Sequence, residues 1–283
     1  MGTQILPSNA YPLDALRSFL NFAPLTFSNL DWISIQERLE GQCCFVRSEE
    51  NQIKALISCE PENEQAAWLR IFVSLSDGRH AEYFERLLDR ALLELREAGV
   101  TALYTLSFKP WHQNLFSSCA FLPFTRITTL ILSDLSAESA EPLPGAEIRV
   151  MTAEDLPALE EVDHSAFSPA WQLNTRSLEA AFRTCTYNTV ALQGGKIVAY
   201  QMTAANFYTS HLARLAVHPL AQQQGLGIRL ALDTIRETAS RGGTEMTVNT
   251  QTNNQQSLRL YHRLGFIQQG KLIPVLQKPI RDV

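Results

Sequence analysis

The chain has 283 residues, 45 % of them apolar and 19 % charged, with 13 glycines and 13 prolines. At roughly 100–200 residues per domain the length suggests two domains, and this composition excludes disordered, collagen-like and fibrous classes. No apolar run reaches the roughly 18 residues that a membrane-crossing helix needs. The stretch Met1–Pro7 has neither a basic region nor an apolar one, and Leu6 stands where a myristoylation motif needs a hydroxyl. Neither a secretory signal nor a lipid anchor is expected, and the protein is read as cytoplasmic, away from membranes.

Charge is uneven along the chain. Residues 1–142 carry 11 Lys+Arg against 18 Asp+Glu, whereas residues 201–283 carry 9 against 4. A protein acidic overall and basic only in its last third does not offer the broad basic face that nucleic acid requires. It is compatible with a small anion held in that third. The five cysteines (Cys43, Cys44, Cys59, Cys119, Cys185) make no C-x-x-C pair and read as reduced, mostly buried thiols. The six histidines show no ligand spacing, so no metal site is expected.

In chain order, the first half suggests a helix around Glu82–Glu97 and a strand at Ala102–Leu106. The polar stretch ending at Gly145 reads as a linker over 135–145, separating domains at 1–134 and 146–283. A strand follows at Ile148–Met151, then a helix opened by Thr152 and Asp155 at capping-box spacing and running to about His164. A second helix is expected at Thr175–Arg183. Strands at Thr189–Leu192 and Ile197–Ala204 flank Gly194-Gly195, a two-residue turn signal. His211–Val217 reads as another strand. Apolar residues recur at helical spacing over Gly227–Arg241, and Gly242-Gly243 ends that helix. A strand at Glu245–Thr250, a helix at Gln255–Arg263 and two final strands, Phe266–Gln269 and Leu272–Gln277, complete the half.

The two halves match in register at an offset of 144–145. Arg70 and Val73 fall on Arg214 and Val217, Gly99 on Gly243, and Phe121 on Phe266. A run of matches in one register suggests two copies of one supersecondary unit. A monomer with an internal pseudo-dimer suits this pattern, with the oligomeric state left open.

The chemically informative segment runs from Leu212 through Gln222-Gln223-Gln224-Gly225-Leu226-Gly227 into a long amphipathic helix. Two glycines at i and i+2 permit a sharp turn and a close ligand approach. The free N–H groups and positive dipole end at a helix start favour an anion. Gly-Lys-Ser/Thr is absent, which argues against a Walker loop. Leu230 stands where a dinucleotide fingerprint has its third glycine.

These residues resemble the GNAT superfamily of N-acetyltransferases, whose signature is Gln/Arg-x-x-Gly-x-Gly/Ala after a strand. A second motif supports the resemblance: Asn254, Ser257, Tyr261, Gly265 and Phe266 stand at the spacing of the family's Asn-x-x-Ala/Ser-x-x-x-Tyr-x-x-x-Gly-Phe helix. The clear match covers about residues 148–280; the first half resembles the fold only. The implied architecture is mixed α/β: two tandem GNAT-like domains, each a twisted mixed sheet flanked by helices. The implied cosubstrate is acetyl-CoA. Backbone amides of Gln223, Gln224, Gly225, Leu226, Gly227 and Ile228 would hold its pyrophosphate, with Gln222 opening the motif. Leu215, Ala216 and Val217 would pair with the pantetheine arm, and Asn254 would contact it. Gln224 departs from the Arg or Lys common before the first glycine, which implies weaker phosphate contact.

By the same resemblance Tyr261 is the general acid beside the departing sulfur. His211 stands where one branch of the family has a glutamate base, and a surface histidine at a strand start is the competing reading. Glu245 and Asp163 are outside candidates for the base, and His218 is expected to have no chemistry. The implied reaction is acetyl transfer to a primary amine, of a small molecule or a peptide, by direct attack on the thioester. A non-catalytic acyl-CoA sensor or scaffold, and an enzyme using a longer acyl donor, remain as alternatives. Phe167, Trp171 and Phe182 could line the acceptor cleft. In the first half, Ala81, Tyr83 and Phe116 replace Gly225, Gly227 and Tyr261. That copy is expected neither to bind CoA nor to catalyse.

Overall fold

The computed structural model describes residues 2–29, 31–136 and 145–280. The first repeat runs β1 (Gln4–Pro7), α1 (Leu13–Phe22), β2 (Leu25–Ser28), α2 (Ile35–Leu39), β3 (Cys44–Glu49), β4 (Gln52–Pro61), β5 (Ala66–Ser74), α3 (His80–Glu97), β6 (Ala102–Leu106), α4 (Pro110–Ser118) and β7 (Leu122–Leu132). The second runs β8 (Glu147–Val150), α5 (Leu156–Ala166), α6 (Thr175–Thr184), β9 (Tyr187–Gln193), β10 (Lys196–Ala205), β11 (Thr209–Val217), α7 (Leu226–Ser240), β12 (Glu245–Gln251), α8 (Gln255–Arg263) and β13 (Ile267–Pro279). The order is the same apart from β2, which has no counterpart among the described residues of the second repeat. Residues 137–144 of the expected linker lie outside the described residues.

The compact units are Met1–Phe124 with Pro274–Val283, and Thr125–Ile273. Each repeat therefore gives up part of its last strand. The end of β13 pairs antiparallel with β6, from Val275 opposite Leu106 to Pro279 opposite Ala102. Likewise β7 pairs antiparallel with β12, from Met246 opposite Leu132 to Gln251 opposite Ile127. The expected division at 135–145 falls between β7 and β8, whereas the compact units divide within β7 and within β13. Two separate final strands were expected, but β13 is one. Gly270 takes φ +76° inside it, a left-handed backbone that interrupts the sequence pattern without ending the strand.

Alternation along the strands builds both faces of the first unit's sheet. Phe45, Ile57 and Phe72 pack against α3 and α4, through Phe84, Leu87 and Phe116. Their neighbours Val46, Leu56, Ile71 and Val73 turn to α1 and α2, through Leu16 and Leu39. In the second unit Leu212, Met246 and Val248 pack against Ala231 and Ile235 of α7 and Tyr261 of α8. Leu159 and Val162 of α5 and Leu178 of α6 are buried as well. The α5 segment opens as expected, the Asp155 carboxylate accepting the Thr152 N–H at 2.8 Å. The five cysteines are free thiols and four are buried. Burial pushes the Cys44 thiol up to about 12, which disfavours its thiolate. No helix among the described residues is long and apolar enough to cross a membrane.

In both units the central parallel pair comes apart. In the first, β5 and β6 pair from Ala66–Ala102 to Trp68–Tyr104 and then diverge. Strand β2 takes the vacated edge, antiparallel to β5, with Leu25 opposite Ser74 and Ser28 opposite Ile71. In the second, β11 and β12 pair from Thr209–Glu245 to Leu212–Val248, while β11 runs on to Val217 and β12 to Gln251. No strand among the described residues takes that edge.

Candidate functional site

The site is built on the free edge of β11. Its register against β10 slips between Met202–Arg214 and Thr203–Leu212, so Ala213 has no opposite residue. Such a bulge bends a strand and re-aims its side chains. Leu212 faces the α7 side, whereas Arg214 meets Asp163 of α5. The divergence of β11 from β12 opens a cleft of about 150 Å³ lined by Leu212, Ala213, Arg214, Leu215, Val248, Asn249, Thr250, Gln251, Asn254, Ser257, Tyr261, Phe167 and Trp171, among others.

Beyond the cleft, β11 leads through a short turn into α7. Gln223 takes φ +63° and Gly225 φ +86°, left-handed conformations that favour glycine and strain a glutamine. The Arg229 N–H reaches the Gly225 carbonyl at 2.9 Å. The preceding first-turn amides, Leu226, Gly227 and Ile228, have no carbonyl one helical turn behind them. A Cβ on Gly227 would stand 3.0 Å from Leu260 Cδ1, so α8 packs directly on the turn. Gln256 of α8 also donates to Gln222 Oε1 at 3.2 Å. Here a second cavity, of about 510 Å³, is lined by Val217, Gln222, Gln223, Gly225–Ile228 and the α8 residues Gln256, Arg259, Leu260 and Arg263. Gln224 is not among the lining residues. Its side chain donates to Leu220 O at 3.2 Å and accepts from Gln193 at 2.9 Å.

The remaining expected residues take these places. Tyr261 is buried in the cleft, and burial pushes its phenol well above the usual range. Asn254 also lines the cleft and caps α8, its side-chain oxygen accepting the Ser257 N–H at 3.1 Å. Leu215, Ala216 and Val217 pair with Gln201, Tyr200 and Ala199 of β10 on their other side. His211 stands on the paired part of β11 and is not among the cleft-lining residues. Its Nδ1 is 2.8 Å from Thr247 Oγ1, and burial lowers its affinity for a proton. His218 Nδ1 accepts the Leu220 N–H at 3.3 Å, a local cap.

Asp163, one of the outside candidates for a base, is a fully buried anion committed to other partners. It accepts from Arg214 Nε at 2.8 Å and from Nη2 at 2.6 Å, from the Leu173 N–H at 2.8 Å, and from the Tyr200 hydroxyl. Arg214 also donates to Trp171 O at 2.7 Å and lies 3.7 Å from the Phe167 ring centre. Sequence reasoning marked Arg214 only as a repeat position. Its pairing with Asp163, 51 residues away, left no local signal. Arg259 and Arg263 were missed too; their i, i+4 spacing beside the motif Tyr261 was the available clue.

In the first unit the equivalent places are filled. Tyr83, at the position of Gly227, is fully buried; its hydroxyl donates to Asp77 at 2.6 Å, and Arg47 and Arg79 lie over its ring. The residues that β2 covers, Ile71–Ser74, correspond to 215–218. Phe27 of β2 meets Phe116, the counterpart of Tyr261, edge-on at 5.2 Å between ring centres.

Fold and cleft together define a tandem α/β protein with a cleft on the open edge of β11. The model of the Acetyltransferase (GNAT) family matches residues 156–266. The [ribosomal protein bS18]-alanine N-acetyltransferase of Escherichia coli K12 is 30 % identical over 112 residues, which cover 40 % of this chain and 74 % of that protein. A tandem GNAT protein from the clavulanic acid biosynthesis pathway has a similar structure over 99 % of both chains, at 11 % identity and TM-score 0.61. A probable N-acyltransferase from Enterococcus faecalis V583 covers 99 % of this chain with 73 % of its own, at 9 % identity and TM-score 0.69. This chain belongs to the GNAT family of acetyltransferases.

Proposed function

We propose that the second unit transfers the acetyl group of acetyl-CoA to a primary amine by direct attack on the thioester. One observation carries the reading: among the described residues the backbone edge of β11 beyond Leu212 has no strand partner, and it leads straight to the amide-rich turn at 223–228. An extended pantetheine can lie along Leu215, Ala216 and Val217, and a pyrophosphate can meet the helix start. The residues present suit this ligand: Leu226, Gly227 and Ile228 offer the first-turn amides of α7 and line the cavity of about 510 Å³.

Tyr261 remains protonated near neutral pH and can donate to the sulfur as the C–S bond breaks. His211, held neutral by burial, takes the proton lost by the attacking amine, through water because it lies outside the cleft lining. The products are an amide and free CoA thiol. Phe167, Trp171 and Arg214 form the acceptor wall. The acceptor is a small-molecule or peptide amine, and the relative named for alanine of ribosomal protein bS18 favours testing a peptide amino terminus. The first repeat binds no CoA, because Tyr83 and β2 fill its counterpart positions.

The experiment is thiol release from acetyl-CoA by the full chain across a panel of small amines and alanine-terminated peptides. Turnover is expected with at least one amine, and Tyr261→Phe should lower kcat by about 10²-fold or more, within the usual range for general acid–base catalysis. Saturable binding without turnover on any amine would select the alternative, a non-catalytic acyl-CoA sensor or scaffold. Absence of binding would overturn both.

A further inference from the structure

Where β12 leaves β11, part of its side-chain row is turned into the cleft. Val248 packs with Ala231 and Ile235 of α7, so by alternation Asn249 and Gln251 turn to the opposite face of the sheet. Arg214 reaches that face too, toward Asp163 of α5, and all three line the cleft with Phe167 and Trp171. Both amides have their oxygens engaged. Thr129 of β7, opposite Asn249 in the ladder, donates its hydroxyl to Asn249 Oδ1 at 2.8 Å. Asn254 Nδ2 donates to Gln251 Oε1 at 3.3 Å. Among the described residues neither amide nitrogen has a hydrogen-bond partner, and no carboxylate lines the cleft. This wall therefore presents amide N–H donors and a guanidinium already paired with Asp163, with no counter-charge for an alkylammonium.

The geometry points to Asn249 and Gln251 as the residues that select the acceptor: their amide N–H groups bind the carbonyl or carboxylate oxygen of an α-amino acyl compound, which is acetylated in preference to a plain alkylamine. This rests on the acetyl-transfer reading of the site. An alkyl chain in the same place returns no hydrogen bond, and a site built around such donors rejects a substrate that leaves them unpaired. The acyl group helps a second time by withdrawing electrons from the amine. A peptide α-amine loses its proton at about pH 7.7–8.0, against about 10.4 for a lysine-type amine. Near neutral pH a far larger share of it is in the unprotonated form that attacks a thioester, with no carboxylate in the cleft to take the proton.

The test is thiol release from acetyl-CoA by the full chain with alanine, alaninamide and isopropylamine, kcat/KM being expressed per unprotonated amine so that basicity alone makes no difference. The wild type should prefer alanine or alaninamide over isopropylamine by about tenfold or more, the scale of one or two net hydrogen bonds. Which of the two is better tells a carboxylate from a peptide carbonyl. N249L/Q251M, close in shape but without the donors, should bring the preference to within about twofold. T129V, which frees the Asn249 amide to turn over, should lose a smaller part of it, in KM rather than kcat. Asn249 is exposed and Gln251 half-buried, so an unchanged melting temperature will confirm that the variants fold. Equal wild-type rates for the three amines, or an undiminished preference in either variant, would overturn the proposal while leaving the acetyl-transfer reading standing. Absence of turnover on every amine would sink that reading and this one with it.

Discussion

Asp163→Asn isolates the buried Asp163–Arg214 pair beside the cleft. Asp163 is fully buried and the Arg214 side chain is 11 % exposed, with contacts of 2.6–2.8 Å. Opposite charges about 3 Å apart attract by about 5–6 kcal/mol at an effective dielectric of about 20. Desolvation offsets part of this, but removing one partner leaves the other uncompensated, which typically costs about 3–5 kcal/mol. Asparagine keeps the shape and an acceptor for the Leu173 N–H, so the loss should lie near the lower end, about 3 kcal/mol. For a unit of this size that lowers Tm by roughly 6–12 °C. Native-state hydrogen exchange at β10 and β11 localises the effect, and a cycle with Arg214→Met measures the coupling. A loss under about 1 kcal/mol, or additivity within about 0.5 kcal/mol, would mean the pair is solvated and the reasoning wrong.

Gly225→Ala places a Cβ on a residue at φ +86°, costing about 1–2 kcal/mol; acetyl-CoA affinity should fall at least tenfold by calorimetry. Gly227→Ala should act more mildly, because its 3.0 Å contact is with the mobile tip of Leu260. Titration with acetyl-CoA should give one site per chain, and two would refute a filled first repeat. Burial, helped by the Lys109 charge, holds His112 down to about 4. The unfolded chain therefore binds the extra proton first, and stability should fall as pH drops from about 6.5 toward 4. His112→Phe should flatten that slope in urea unfolding at graded pH.

The second repeat was legible because its signals are local. Gly194-Gly195, the Thr152–Asp155 spacing and the glycines of the 222–227 turn each act within a few residues. The alternation in Glu245–Thr250 and the helical spacing in Gly227–Arg241 placed the elements that frame the cleft. The pairing of Val275 with Leu106 and of Met246 with Leu132 was not legible, since strand exchange depends on edges far apart in sequence. Asp163 was weighed as a base for the same reason, because nothing near it announces Arg214 or Tyr200. Gly270 misled by resembling a turn inside a continuous strand.

Strand β2 has a consequence for how the two halves respond to their surroundings. In the first unit the chain carries its own blank key, four residues permanently seated where a sheet would otherwise gape. That half needs no visitor to complete its hydrogen-bond ladder, so its stability should be indifferent to metabolite supply. In the second unit the same gap is open to an outside molecule, and each tenfold rise in ligand above Kd adds about 1.4 kcal/mol. One polypeptide thus pairs a self-sufficient half with a half whose firmness tracks the acyl donor around it.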